Sequence, residues 1–148
     1  MDIKIRYTDI EYPKLKDLDK GDWIDVYAWE DVDLKKDDLK IIKLGFAMQL
    51  PEDYEAHLLP RSSTAKKFGI IMANSMGIID NTYCGDDDIW GFSAYAIRDT
   101  HISKGDRIAQ FKLVKRQVKE LGTINFIEVE SLGNKNRGGF GSTGHGTL

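Results

Sequence analysis

Four stretches of this sequence carry side chains suited to binding and cleaving a phosphate-bearing ligand. Arg61-Ser62-Ser63 sets a guanidinium beside two hydroxyls, and Ser62 or Ser63 suits the N-cap of a helical turn over Ala65 to Phe68. Free backbone N–H groups at such a position favour an anion. Gly105-Asp106-Arg107-Ile108-Ala109-Gln110 offers an arginine and an amide around a strand start. Arg137-Gly138-Gly139-Phe140-Gly141-Ser142-Thr143-Gly144 joins an arginine, one aromatic ring, two hydroxyls and glycines that let a ligand approach the backbone. It is not a P-loop, because no Gly-Lys-Ser/Thr ending and no helix follow. The fourth stretch, Gly77-Ile78-Ile79-Asp80-Asn81-Thr82-Tyr83-Cys84-Gly85, reads as a β-hairpin tipped by an acid, an amide and a ring.

The elements that must position these groups are almost all strands. Ile3, Ile5 and Tyr7 alternate with Lys4 and Arg6, the period of a half-buried strand that could pair in its own sheet or with another subunit. Pro13 to Gly21 is polar and turn-like. Trp23 to Trp29 is rich in β-formers with Asp25 in its middle, on the solvent face. Asp31 to Asp38 reads as a solvated loop; Lys36 and Ile42 stand where an EF-hand needs Gly and Glu. Strands are expected over Leu39 to Leu50, Tyr54 to Leu59, Ile89 to Ile97, Arg107 to Val114 and Thr123 to Val129. The turn before Gly69 is the one helix expected. Short strands at regular spacing imply an all-β sandwich or barrel. Residues 1–132 form the β domain. Residues 133–148 hold six glycines and a single large apolar residue ahead of the terminal Leu148, Phe140, too few to fold alone, and read as a flexible C-terminal arm closing over an active site.

The bulk properties narrow the classes. The chain has 148 residues and a formal charge of -3, so a polyanionic ligand must be held by a local basic cluster. Cys84 is the single cysteine, which excludes an internal disulfide and a CxxC metal site. No apolar run approaches the ~18 residues that span a bilayer, and the N-terminus lacks a signal-like apolar segment, so a cytoplasmic location is expected. His57, His101 and His145 fit no triad or zinc spacing. Asp86-Asp87-Asp88 reads as a solvated loop.

Taken in order, Asp25 within Trp23–Ala28, Pro60–Lys67, Gly77–Tyr83, Gly105–Gln110 and Arg137–Gly144 resemble the five motifs of the trimeric dUTP diphosphatases (dUTPases) across nearly the whole chain. The wording of Gly21–Asp25 and Asp86–Trp90 is most similar to the enzymes of phages and prophages of Gram-positive bacteria. The resemblance implies a jelly-roll-like β fold, a homotrimer with three sites each shared by all three subunits, and hydrolysis of dUTP to dUMP and pyrophosphate with Mg2+. That reaction limits uracil incorporation into DNA.

The resemblance also assigns roles. Asp80 is the water-activating carboxylate. Arg61, Ser62, Ser63 and Gln110 match positions that contact the α- and β-phosphates. Arg137, Ser142 and Thr143 match those on the γ-phosphate, with Gly141 beside Phe140, the ring that stacks on uracil. Asp25 matches the carboxylate that holds a magnesium-bound water, the triphosphate supplying the ion's inner ligands. Tyr83 packs under the sugar, where a ribose 2′-OH would clash, and Asn74 supports the uracil loop. The backbone around Ile78, Ile79 and Tyr83 can present N–H, C=O, N–H to the edge of uracil. Cytosine would mismatch two or three of these groups at ~1–3 kcal/mol each, a discrimination of roughly 10²–10⁴.

Some positions depart from the family pattern. Thr64 replaces a common Leu, Thr82 replaces a common acid or Ser, and Trp23-Ile24 stand where Ala-Gly is usual. One rival reading is a dCTP deaminase, whose chemistry uses a Glu soon after the hairpin; Tyr83 to Val118 contains none. The other is a nucleotide-binding regulatory module, since some phage members act on host proteins and a regulatory protein partner is compatible with the motifs.

Overall fold

A computed structural model describes residues 1–16 and 21–140. Eleven strands and two one-turn helices follow in the order β1 (Lys4–Tyr7), β2 (Ile24–Tyr27), β3 (Val32–Leu34), β4 (Leu39–Lys43), β5 (Phe46–Gln49), β6 (Tyr54–Pro60), α1 (Thr64–Phe68), β7 (Ile70–Met72), β8 (Gly77–Ile79), β9 (Gly91–Ala96), β10 (Thr100–Ile102), β11 (Arg107–Lys115) and α2 (Gln117–Leu121). Every strand pair is antiparallel. The larger sheet has the order β2-β11-β6-β8, a second has β4-β9-β7, and β1-β5 and β3-β10 form two-stranded ribbons.

Period-2 patterning explains how these strands share one core. Along β6, Ala56 and Leu58 are buried while Glu55, His57 and Leu59 are partly exposed; along β9, Phe92, Ala94 and Ala96 are buried. An aromatic chain then crosses between the sheets. Phe111 of β11 meets Trp90 at 5.0 Å between ring centroids, Trp90 meets Phe46 at 5.0 Å, and Phe46 meets Tyr12 at 5.9 Å. These edge-on and tilted contacts suit the ring quadrupoles. Burial among them pushes the Tyr12 phenol far up, and its oxygen accepts the Tyr27 backbone N–H at 3.3 Å.

Several sequence expectations change. The stretch Leu39 to Leu50 is two strands in different sheets, because Gly45 adopts φ +81° and turns the chain. A Cβ at Gly45 would also meet Trp29 at 2.7 Å, so no larger residue fits. The expected solvated loop at Asp31 to Asp38 contains β3, whose Val32 and Leu34 are buried while Asp33 faces out; it pairs with β10, which had no expectation. α2 is a second helix, tied down by polar contacts alone: Lys119 Nζ reaches Glu52 at 3.3 Å and Asp53 at 3.6 Å. Its two apolar residues, Val118 and Leu121, are exposed, and a five-residue turn is too short for an apolar period to mark it in sequence.

Two further corrections concern the site. The expected hairpin at Gly77 to Gly85 has one strand arm only: β8 pairs with β6, and Asp80 onward is turn. The expected strand over Thr123 to Val129 does not form. Its Ile124, Phe126, Ile127 and Val129 are exposed, because among the described residues no strand edge receives it and a strand exists only through its ladder.

The N-terminal segment is fastened electrostatically. Asp9 accepts bonds from Lys104 Nζ at 2.8 Å, the Glu11 backbone N–H at 2.9 Å and Trp29 Nε1 at 3.2 Å. The Lys104 contact first, then the Glu11 N–H, lowers the Asp9 carboxyl to about 2. A depressed folded pKa contributes stability above the ordinary carboxylate pKa and loses it as pH falls through the depressed value. Urea unfolding midpoints should therefore fall between pH 4 and pH 2 more steeply in the native protein than in Asp9→Asn, which should start lower at pH 7. Parallel curves would remove this contact from acid stability.

Candidate active site

The larger sheet carries two clusters. The first sits where β2 and β6 flank the head of β11. Gln110 is registered opposite Asp25 on β2 and Leu59 on β6, and Arg61 follows the end of β6. Asp25 Oδ1 lies 3.0 Å from Arg61 Nε, and its Oδ2 accepts from Arg107 Nη1 at 3.4 Å. Asp25 is thus half-exposed and paired, not merely solvated. Arg107, assigned no role by the sequence reading, adds a second guanidinium, so one carboxylate faces two cations and the patch keeps a surplus positive charge. The amide of Gln110 donates to the Pro60 carbonyl at 3.2 Å, joining the strand to the start of the Arg61 turn.

Ser62 and Ser63 are exposed at the N-terminal end of α1, and Ser63 makes no side-chain capping bond. Both hydroxyls can therefore serve a ligand. Gly69 closes the turn at φ +65°, as the sequence indicated, and the Arg98 guanidinium donates to the Lys66 carbonyl at 2.9 Å.

The second cluster lies at the other end of β6, around β8. A cleft of about 350 Å³ is walled by Ile41, Ile78, Ile79, Ile89 and Trp90 and edged by Asn74, Asp80, Tyr83 and Ser93. That volume and that mixture of apolar walls with few polar groups suit a small planar ligand. β8 is an edge strand, so alternate residues direct N–H and C=O groups away from β6, unclaimed by any strand. The Tyr83 hydroxyl donates to the Ile89 carbonyl at 3.3 Å and its backbone N–H to Asp80 O at 3.1 Å, which closes the turn.

Asp80 is exposed at the lip. Its Oδ1 accepts the Thr82 backbone N–H at 2.7 Å. That bond, then the Thr82 hydroxyl and more weakly the charge of Arg116, holds the carboxyl below the usual range. Asp80 is therefore ionised at neutral pH and can only accept hydrogen bonds. Thr82, a departure from the family pattern, fixes this carboxylate. Arg116 also lacked a role in the sequence reading; it lies near Asp80 because the end of β11 returns beside the Glu52–Asp53 turn, where its N–H donates to the Asp53 carbonyl at 2.8 Å.

The two clusters are far apart in one chain. Ile79 is registered opposite Ala56, so Asp80 lies level with Glu55, six residues before Arg61 along β6. At ~3.3 Å per residue that is about 20 Å. Arg137 and Phe140 join neither: they lie on an exposed stretch, and the Phe140 ring touches nothing at 114% relative exposure. Gly141, Ser142, Thr143 and His145 lie outside the described residues. His57 and His101 each meet one carboxylate, Glu55 and Asp33, at 2.7 Å. Among the described residues no three acids, histidines or cysteines gather as metal ligands, and no helix is long and apolar enough to cross a membrane.

Comparison with known proteins gives a consistent answer. The dUTPase family model matches residues 23–144. The SPbeta prophage-derived deoxyuridine 5'-triphosphate nucleotidohydrolase YosS of Bacillus subtilis (strain 168) is 55% identical over 144 residues, covering 97% of this chain and 99% of that protein. Among solved structures, a Staphylococcus bacteriophage 80alpha dUTPase with dUpNHpp superposes at a TM-score of 0.76 with 20% identity, over 97% of this chain and 98% of that one. The dUTPase of phage phi11 of S. aureus, described with a structural Mg(II) ion, reaches 0.71 with 19% identity over 89% and 99%. With the family model matched over residues 23–144 and sequence likeness across 97% of its length, the chain belongs to the dUTPase family.

Proposed function

We propose that the protein hydrolyses dUTP to dUMP and pyrophosphate, water attacking the α-phosphorus as the bond to the β-phosphate breaks. The observation that carries the reading is the pair of complementary clusters: an edge-strand cleft with an ionised carboxylate at its lip, and a cationic patch with free hydroxyls.

The cleft suits uracil because its open backbone edge offers alternating donors and acceptors. Asp80 accepts a hydrogen bond from the attacking water and aims a lone pair at phosphorus, a contribution of ~10²–10⁴ in rate for a positioned base. Arg61, Arg107, Gln110 and the two serine hydroxyls bind the phosphate oxygens and withdraw the charge that develops on the leaving pyrophosphate. Asp25 suits a magnesium triphosphate: a single half-exposed carboxylate with no cage around it fits an ion that keeps its waters and takes phosphate oxygens. When bound, that ion neutralises phosphate charge.

The ~20 Å between the clusters argues that one substrate is held by more than one copy of the chain. A general base must reach within hydrogen-bond distance of the reacting atoms, which the Asp80 and Arg61 of a single chain do not do for one phosphate. We therefore read the active protein as a homotrimer with shared sites. The exposed Ile124–Leu132 stretch supports this, since it presents Phe126 and Ile127 at 95% and 83% exposure with no cover. Beyond it Arg137 and Phe140 belong to an arm that closes on a bound nucleotide, the arginine on the γ-phosphate and the ring on the base.

Pyrophosphate release from dUTP, dCTP, dTTP and UTP with Mg2+ tests the reading. Selective cleavage of dUTP is expected; ammonia from dCTP, or inertness toward all four, would overturn it. Asp80→Asn should bind dUpNHpp with native affinity while turnover falls at least ~100-fold, and near-native turnover removes Asp80 from that role. Deleting Asn134 onward should leave the oligomer intact and abolish most activity, which size-exclusion chromatography and the same assay would report.

A further inference from the structure

Among the described residues, Thr64 is the one buried residue in the polar or charged class, at 0% exposure. Its hydroxyl is committed on both sides. It accepts the Arg61 backbone N–H at 2.9 Å and donates to the Ile108 carbonyl at 2.8 Å, 44 residues along the chain. A reciprocal bond runs from the Thr64 N–H to the Arg61 carbonyl at 3.0 Å.

Ile108 is a singular position. The β11–β2 register jumps from Arg107 opposite Tyr27 to Ala109 opposite Val26, so Ile108 is the extra residue of a β-bulge. The β11–β6 register begins only at Ala109. No residue is therefore registered opposite Ile108 on either side, and its buried carbonyl takes the Thr64 hydroxyl as partner. The bulge also turns the preceding Arg107 toward Asp25, the carboxylate that Arg61 meets from the other side.

We propose that Thr64 is a positioning residue for phosphate binding: its hydroxyl ties the Arg61 turn to the β11 bulge and so fixes the spacing of the Arg61 and Arg107 guanidiniums around Asp25. It touches no ligand. Leucine, the residue that the family resemblance places here, would fill the volume but can make neither bond. The proposal rests on the reading of this cluster as the phosphate clamp.

The variants Thr64→Val and Thr64→Ser separate the hydroxyl from the volume. Valine keeps the shape and leaves the Arg61 N–H and the Ile108 carbonyl unpaired in the interior. With Mg2+ present, Thr64→Val should bind dUpNHpp about 10-fold more weakly than the native protein, bind deoxyuridine with unchanged affinity, and exchange its Arg61 amide hydrogen faster. Thr64→Ser should restore all three. Native dUpNHpp affinity in Thr64→Val overturns the proposal, as does an equal loss for dUpNHpp and deoxyuridine, or a failure of serine to rescue. Should the valine variant not fold, the native protein decides: a fast-exchanging Arg61 amide overturns the clamp and a protected one supports it. Arg61→Ala tests the underlying reading separately. If it binds dUpNHpp normally, the phosphate clamp itself is wrong; if only Arg61→Ala weakens binding, Thr64 alone is misassigned.

Discussion

The β6–β11 ladder is the ruler of this molecule. Seven registered pairs run from Ala109 opposite Pro60 to Lys115 opposite Tyr54 without a break. An antiparallel ladder of that length cannot slip by one residue without exposing one face and burying the other, so its ends are held at a fixed separation. β2 attaches near one end of β11 and carries Asp25; β8 pairs with the middle of β6 and runs toward its other end, where Asp80 follows it. The edge-strand cleft and the cationic patch are thereby kept apart within a chain. On the reading proposed above, assembly of copies is what brings a cleft of one to the patch of another.

Charge follows the same division. The chain is net acidic at -3, yet the patch around Asp25 sets two arginines against that one carboxylate. A half-exposed ion pair of this kind adds little to stability. Its consequence is geometric: Asp25 holds both guanidiniums in the open, oriented and only partly neutralised. At the other end, Asp80 is kept ionised by the Thr82 N–H, which favours the charged form. A carboxyl with its pKa held low is a weak proton acceptor at rest, so on the reading proposed above Asp80 would contribute first by orienting water. Proton transfer would become favourable only as the attacking water grows acidic on approaching phosphorus.

The sequence made the strand content legible, because the alternation in Ile3–Tyr7, Tyr54–Leu59 and Gly91–Ala96 is a local signal of one buried face. It also singled out Asp25, Arg61 and Asp80 as candidates for chemistry, through motif order and not through spacing. It hid what depends on tertiary partners. Val32 and Leu34 flank an aspartate among other acids, so only the β10 edge reveals them as a strand. Arg107 and Arg116 look like ordinary basic residues at strand ends until the sheet brings Asp25 and Asp80 near. Thr64 read as a departure; its meaning comes from a bulge 44 residues away. Conversely, Thr123–Val129 carried the composition of a strand without an edge to complete it, which is how a segment reads when its partner lies in another chain.

That last stretch leads to the arm, and magnitudes decide how it acts. Fixing each backbone residue costs ~1–2 kcal/mol, so ordering the four residues from Arg137 to Phe140 costs about 4–8 kcal/mol. A ring stacked on a base returns ~1–3 kcal/mol, and a hydrogen bond to a charged phosphate oxygen ~1.5–3 kcal/mol. Neither alone orders the segment, and the two together only come near balance. On the reading proposed above, an arm so poised would stay open on a nucleotide that lacks the γ-phosphate and close on one that has it. Arg137 and Phe140 are exposed in the single chain, as that reading expects of an arm with no nucleotide to close on. Such closure would select the triphosphate as it excludes water from the Arg61–Arg107 patch, where a drier surrounding would strengthen the pull of both guanidiniums on the leaving charge.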